Sequence, residues 1–427
     1  MRRVGLLAAC LLLGFASTAD AQALVDGGYN LDLVSLPLLG GNNAIGMGGA
    51  YSAVGFGIDT VAYNPAAYAQ RGAGDVDWFA WDYSVGFLFP SILTNTNYFD
   101  SPPGQVPKLD SFRFFDAGLR LQFGPVGAGL LIQSSNFQTT VDGNTVRFRA
   151  RTAHLGSGVE LLQGQLVVAA GLRVPFFDLE APGPSGILLK LRQPGIEVGG
   201  TLGLFGQPWR LGFAFRSRVD SPPNIAPGSV PGFAIPELLV LPWEIEAGFA
   251  WQFGARPLNR KWQHMERPRV ERQRVEAERR AGRVNEPPPT PRAPGQPRPR
   301  RKEPTRERYY LVSMDVVIDG PTANGQGLDA FLTQESRPRG AHTSFAIRFG
   351  TEMEPWPNRM KVRAGIYSES NRIEGVSPRV HGTFGFDVRL FEWDLFGVMD
   401  PFSIQISTML DVAYQYLNWG LGFSFWY

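Results

Sequence analysis

WFAWDYSVGFLF, Trp78 to Phe89, decides how this chain is read. Phe79, Trp81, Tyr83, Val85, Phe87 and Phe89 fall on one face of an extended strand, and Ala80, Asp82, Ser84 and Gly86 fall on the other. A soluble sheet could carry one such strand, so repetition is what counts. Phe115 to Phe123 alternates in the same way and, after Gly124-Pro125, so does Val126 to Ile132. The pattern returns at Val146–Arg151, Leu166–Val174, Ile196–Leu204, Trp209–Phe215, Leu239–Phe253 and Tyr310–Ile318. It returns again at Thr343–Phe349, Met360–Ile366, Val380–Leu390, Phe402–Leu410 and Leu417–Tyr427, which makes fourteen segments.

Short turns such as Gly124-Pro125, Leu162-Gln163-Gly164 and Gly206-Gln207-Pro208 alternate with long connections such as Pro90–Asp110 and Asp220–Ile235. An even strand number, short turns at one end and long loops at the other predict an all-β fold, a 14-stranded antiparallel transmembrane β-barrel. No segment reaches the ~18 consecutive apolar residues of a membrane helix, and a closed barrel is the other way to satisfy every backbone group in lipid. The final LNWGLGFSFWY puts Leu417, Trp419, Leu421, Phe423, Phe425 and Tyr427 on one face. It resembles the terminal signal by which outer-membrane barrels are recognised for assembly.

The chain opens MRRVGLLAACLLLGFASTADAQA, with a basic start at Arg2 and Arg3, an apolar run from Val4 to Ala16 and a small-x-small site at Ala19-Asp20-Ala21. That is the pattern of a secretory signal peptide over residues 1–21. Cleavage there removes Cys10, the only cysteine, and with it any disulfide or thiolate chemistry. The net charge of +2 hides a strong asymmetry. Residues 255–308 hold fifteen arginines and two lysines against seven glutamates, a net of +10. Val270–Arg280 suits a short solvated helix, while EPPPTPRAPGQPRPRRKEP is proline-rich and extended. Following the eighth strand, this insertion is expected on the periplasmic side, as a solvated segment or as a contact for a periplasmic partner. An exported chain gives no reason to expect nucleic acid.

Between the leader and the first strand lies GMGGAYSAVGFGIDTVAYNPAAYA, Gly46 to Ala69, whose one charge is Asp59. Asn64 suits a helix N-cap and Pro65 the first helical position, so a short helix through Ala66–Ala69 is expected. Gly46, Gly48 and Gly49 let the preceding backbone turn and pack closely. So compact and nearly neutral a segment suits the inside of a barrel, as a plug.

These residues carry a resemblance. NAIGMGGAYSAVGFGIDTVAYNPAAYA, with Asn64-Pro65-Ala66, resembles the N-terminal hatch of the FadL family of outer-membrane long-chain fatty acid transporters, and it is similar to PorV-like barrels of the same superfamily. The resemblance implies a hatch over residues 22–70 inside the lumen of a monomeric barrel over 71–427, in the outer membrane and among its lipids. It also implies Gly46, Gly48, Gly49, Asp59, Asn64, Pro65 and Ala66 as the hatch motif. The implied function is transport of long-chain fatty acids or similar hydrophobic compounds, with a hydrophobic, fatty acid-like ligand and no cofactor. A PorV-like role in protein secretion, or as an interaction scaffold, is the alternative.

Arg120, Arg147, Arg149, Arg151, Arg173, Arg210, Arg216, Arg348 and Arg363 are read as facing inward, as candidate contacts for a ligand carboxylate. Glu160, Glu244, Glu246, Asp315 and Asp387 are read as inward too, so a cross-strand ion ladder is the competing use of the arginines. No enzyme is expected. His342-x-Ser344 shares one strand face but no acid is positioned beside it. The four histidines are scattered and form no metal site, and GMGGAY opens no phosphate-binding βα unit.

Overall fold

A computed structural model describes residues 22–25, 27–72, 78–90, 96–101, 106–141, 144–180, 187–226, 233–259, 308–373, 375–393 and 402–426. The leader, Tyr427 and nearly all of the basic insertion, from 260 to 307, lie outside them.

Among the described residues, fifteen strands share one sheet. Fourteen of them close a ring: β1 (Phe79–Leu88), β2 (Asp110–Phe123), β3 (Val126–Val141), β4 (Asn144–Leu161), β5 (Leu166–Glu180), β6 (Gly195–Leu202) and β7 (Trp209–Arg216). The other half is β8 (Glu244–Gly254), β9 (Tyr309–Asp319), β10 (Ser344–Trp356), β11 (Met360–Ser368), β12 (Val380–Trp393), β13 (Phe402–Ala413) and β14 (Tyr416–Phe425). Each pairs antiparallel with its sequence neighbour, and β14 closes on β1 with Gly422 opposite Gly86. The fifteenth strand, Ile187–Arg192, pairs with the far half of β5 after β6 has left it at Arg173↔Gly195.

Closure leaves the fourteen-strand ring itself without an open edge, and its apolar face turns outward: Leu119, Leu121, Phe213, Phe249, Ile347, Ile366 and Phe384 are all exposed. No helix among the described residues is long and apolar enough to cross a membrane.

The Leu239–Phe253 segment differs from the sequence reading. It divides at Pro242 into Leu238–Leu241 and β8. Pro242 has no N–H to give the ladder, so the chain leaves the ring there. Leu238–Leu241 instead pairs parallel with Asn30–Asp32, which pairs parallel on its other side with Gly325–Gly327. With Val219–Ser221 these make a four-stranded sheet at the long-loop end. Beside it pack the helix Leu328–Thr333 and an apolar cluster that includes Leu31, Phe112, Phe137, Phe148, Phe177 and Phe331.

Residues 42–69 are buried almost throughout and touch the ring on all sides. The helix α1 (Asn42–Gly46) packs against β11, β12, β13 and β14, the turn Ile58–Thr60 against β1, β2 and β3, and the turn Pro65–Tyr68 against β3, β4, β5 and β6.

Candidate functional site

The inner segment is folded by its own sequence and then bound to the wall by side chains. Asn64 Oδ1 accepts the Ala66 N–H at 2.9 Å, capping a 3-10 turn that begins at Pro65. Its Nδ2 donates to the carbonyls of Ser52, at 2.7 Å, and Gly200, at 3.1 Å, so one amide joins two parts of the segment to β6. Ala66 is completely buried beneath it. Gly48 and Gly49 have φ of +62° and +74°. A Cβ on Gly48 would press on the backbone of Phe349 and Ile366. Gly46 meets Gly385 of β12, and Thr383 donates to the Gly46 carbonyl at 3.2 Å.

Wall carboxylates receive the segment's amides. Asp82 Oδ2 accepts from Ile58 N at 2.6 Å, and Asp315 Oδ2 from Ser52 N at 2.8 Å. Wall donors cap its carbonyls. Arg120 reaches Ala67 and Gln70, Gln122 reaches Ala69 at 2.7 Å, Arg216 reaches Ala62, and Arg348 reaches Gly49 at 3.5 Å. Arg363 donates to Asn43 Oδ1 at 3.1 Å and pairs with Glu352 and Asp387. Glu246 lies 3.0 Å from Arg348 and 3.4 Å from Arg216, which also pairs with Glu244, and Glu160 pairs with Arg71 at 3.6 Å.

Asp59 is buried, accepts from Asn43 Nδ2 at 3.3 Å, and has no ion pair among the described residues. Burial, and then the charges of Asp82 and Asp116, push its carboxyl up to about 8, so it is held protonated in neutral solution.

The nine arginines therefore separate into groups. Arg120, Arg216, Arg348 and Arg363 hold the inner segment. Arg210 is buried against Asn259 Oδ1, at 3.0 Å, and the Leu258 carbonyl. The placement of Arg147, Arg149 and Arg151 is a correction. Val146 and Phe148 turn inward into the apolar cluster, so the alternating arginines turn outward. At this end of β4 the preference read from the sequence inverts: the inner face joins the apolar cluster and the outer face is exposed.

Arg173 alone of the nine is buried at the edge of a cavity with no carboxylate in ion-pair range among the described residues. Its one hydrogen bond, at 3.3 Å, runs to the Ser217 carbonyl. The cavity, about 320 Å³, lies between the inner segment and the long loops. Phe112, Phe137, Phe148 and Phe177 line it from the wall, and Leu36 and Leu38 from the inner segment. His154, directly opposite Arg173 across the β4–β5 ladder, lines it as well. Its Nδ1 lies 2.8 Å from Glu197 Oε2, and the Tyr68 hydroxyl donates to Glu197 Oε1 at 3.5 Å. His154 and the cavity aromatics were missed in the sequence. The parity that places Val146 inward also places Phe148 and His154 inward, which was the available signal.

No known family profile and no curated protein matches the chain. Among solved structures it is similar to a TodX deltaS2S3 mutant monoaromatic hydrocarbon channel, with TM-score 0.50 and 12% identity over 90% of this chain and 98% of that one. It is similar to a Pseudomonas aeruginosa FadL homologue, with TM-score 0.49 and 11% identity over 92% and 98%. It is also similar to the CymD monoaromatic hydrocarbon channel, with TM-score 0.48 and 11% identity over 90% and 96%. The first of these likenesses shows a shared fold. Among its described residues, this chain is a closed, fourteen-stranded antiparallel barrel.

Proposed function

We propose that the protein is an outer-membrane channel for hydrophobic small molecules, and that residues 22–70 are its hatch. The relatives named above as hydrocarbon channels support the general class. The cavity carries the finer reading. It joins aromatic walls to buried Arg173, which has no carboxylate within ion-pair range among the described residues although Glu244 and Asp319 also line the cavity, a combination that suits an apolar tail ending in a carboxylate, as in a long-chain fatty acid. The hatch motif Gly46, Gly48, Gly49, Asp59, Asn64, Pro65 and Ala66 closes the bore below that cavity. No chemical step is needed for this role.

The test is uptake of a radiolabelled C18 fatty acid into proteoliposomes. Protein-containing vesicles are expected to take it up faster than empty ones. Removal of residues 22–70 is expected to abolish the preference for the fatty acid over a small polar solute. Equal uptake with and without the protein overturns the reading.

A further inference from the structure

The three outward arginines of β4 have a use of their own. Below them, the outward positions of the same strand are Ala153, Leu155, Ser157, Val159 and Leu161, the lipid-facing band. The arginines occupy the next three outward positions at the long-loop end, about 7 Å apart along the strand. Across the ladder, Arg113 of β2, Asn136 of β3 and Arg149 of β4 stand in one register row.

A bulge between Asp110 and Arg113 opens the ladder beside them. Ser111, Asn136, Gln138, Arg147 and Arg149 line a notch of about 170 Å³ there. The nearby acids are already engaged: Glu180 pairs with Arg149 at 3.2 Å, and Asp178 with Arg192 at 2.9 Å. Arg113, Arg147 and Arg151 are exposed and have no carboxylate in ion-pair range among the described residues.

We propose that the outward row of Arg113, Arg147, Arg149 and Arg151, with its notch, is a binding site for the phosphate groups of an anionic outer-leaflet lipid. Charge and position together select that partner. A cationic row at the upper border of the hydrocarbon band lies at headgroup height, and its guanidinium forks match phosphate oxygens in pairs. Ser111, Asn136 and Gln138 add neutral donors. The acyl chains of the same lipid would lie along Leu155 and Val159 below. The site rests on the membrane placement proposed above and is independent of what the channel carries.

Full-length protein in detergent, mixed with bisphosphorylated lipid A or its dephosphorylated counterpart, tests the site by native mass spectrometry. The wild type is expected to retain the bisphosphorylated lipid about tenfold better. The triple variant Arg147→Gln, Arg149→Gln, Arg151→Gln is expected to lose that preference, and the triple Lys variant to keep most of it. Fatty acid uptake by the Gln variant should equal that of the wild type, which separates this site from the conduit. Equal retention of both lipids by the wild type, or an undiminished preference in the Gln variant, overturns the proposal. Competition by millimolar inorganic phosphate as effective as by lipid A also overturns it, because the site would then be one for a free anion.

Discussion

Arg120 Nη1 donates to the carbonyl of Gln70 at 2.6 Å, and the same nitrogen reaches the Ala67 carbonyl at 3.0 Å. The turn Pro65–Tyr68 thus ends on a guanidinium supplied by the wall rather than on water. Carbonyls at the end of a helical turn need such a donor, and a positive charge suits them best.

Replacing Arg120 with Leu leaves those carbonyls, and the Asp82 carboxylate beside them, without their buried cation. A loss of about 3 kcal/mol is expected. The barrel ring should survive, because its ladder is untouched, so heat-dependent migration on a denaturing gel should remain barrel-like. Protease sensitivity near residue 70, followed by mass spectrometry, should rise sharply. Unchanged sensitivity would mean that Arg120 does not hold the segment.

Asn64 acts as both acceptor and donor. Asn64→Ala removes the cap and both Nδ2 bonds, one to Ser52 within the segment and one to Gly200 of the wall, and the cap alone is worth about 1 kcal/mol. Asn64→Asp keeps the acceptor for Ala66 N but sets a carboxylate against the carbonyls of Ser52 and Gly200. It is therefore expected to lower the melting temperature more than Ala does, although Asp is an excellent N-cap on an exposed helix. Calorimetry of the two variants gives the order directly.

Asp59 links the inner segment to pH. Its carboxyl is raised from 3.8 to about 8 by burial and by Asp82 and Asp116, so the docked segment binds this proton more tightly than the released one. The stabilisation is therefore complete below the ordinary carboxyl pKa and is lost as pH rises toward 8. The melting temperature should fall between pH 5 and pH 8.5, and Asp59→Asn should flatten that slope. A slope unchanged in the Asn variant would assign the effect to another group.

If the channel carries fatty acids as proposed, Arg173 is expected to separate acidic cargo from neutral cargo. Arg173→Gln should raise the half-saturating concentration of a C18 fatty acid about tenfold, the usual scale for a lost charge-assisted bond. Flux of a neutral hydrocarbon such as toluene should be unchanged. An equal effect on both substrates would make Arg173 a structural residue of the wall.

The strand alternation was legible because a barrel wall is a repeated local code. Residues 79 to 88 and 416 to 425 announce lipid on one side and a polar bore on the other without help from any distant residue. The Asn64-Pro65 cap was legible for the same reason, since cap and amide lie two residues apart.

The orientation of Arg147, Arg149 and Arg151 was not legible in this way. Polar residues were assigned to the bore, but at the long-loop end of β4 the inner face packs into the apolar cluster and is the greasier side. The break at Pro242 was partly legible, although that proline gives no hint that Leu238–Leu241 joins Asn30–Asp32.

Taken alone, the sequence determined the cylinder, its strand number and the capped turn at Asn64-Pro65, because each depends on contacts between near neighbours or on one repeating period. Only the tertiary structure decided which arginines grip the inner segment, which one is left at the cavity without an ion pair among the described residues and which turn to the outer face of the barrel. Those fates depend on where the long loops fold over the inner face and on which carboxylates come near, and both are set by residues far apart in the chain.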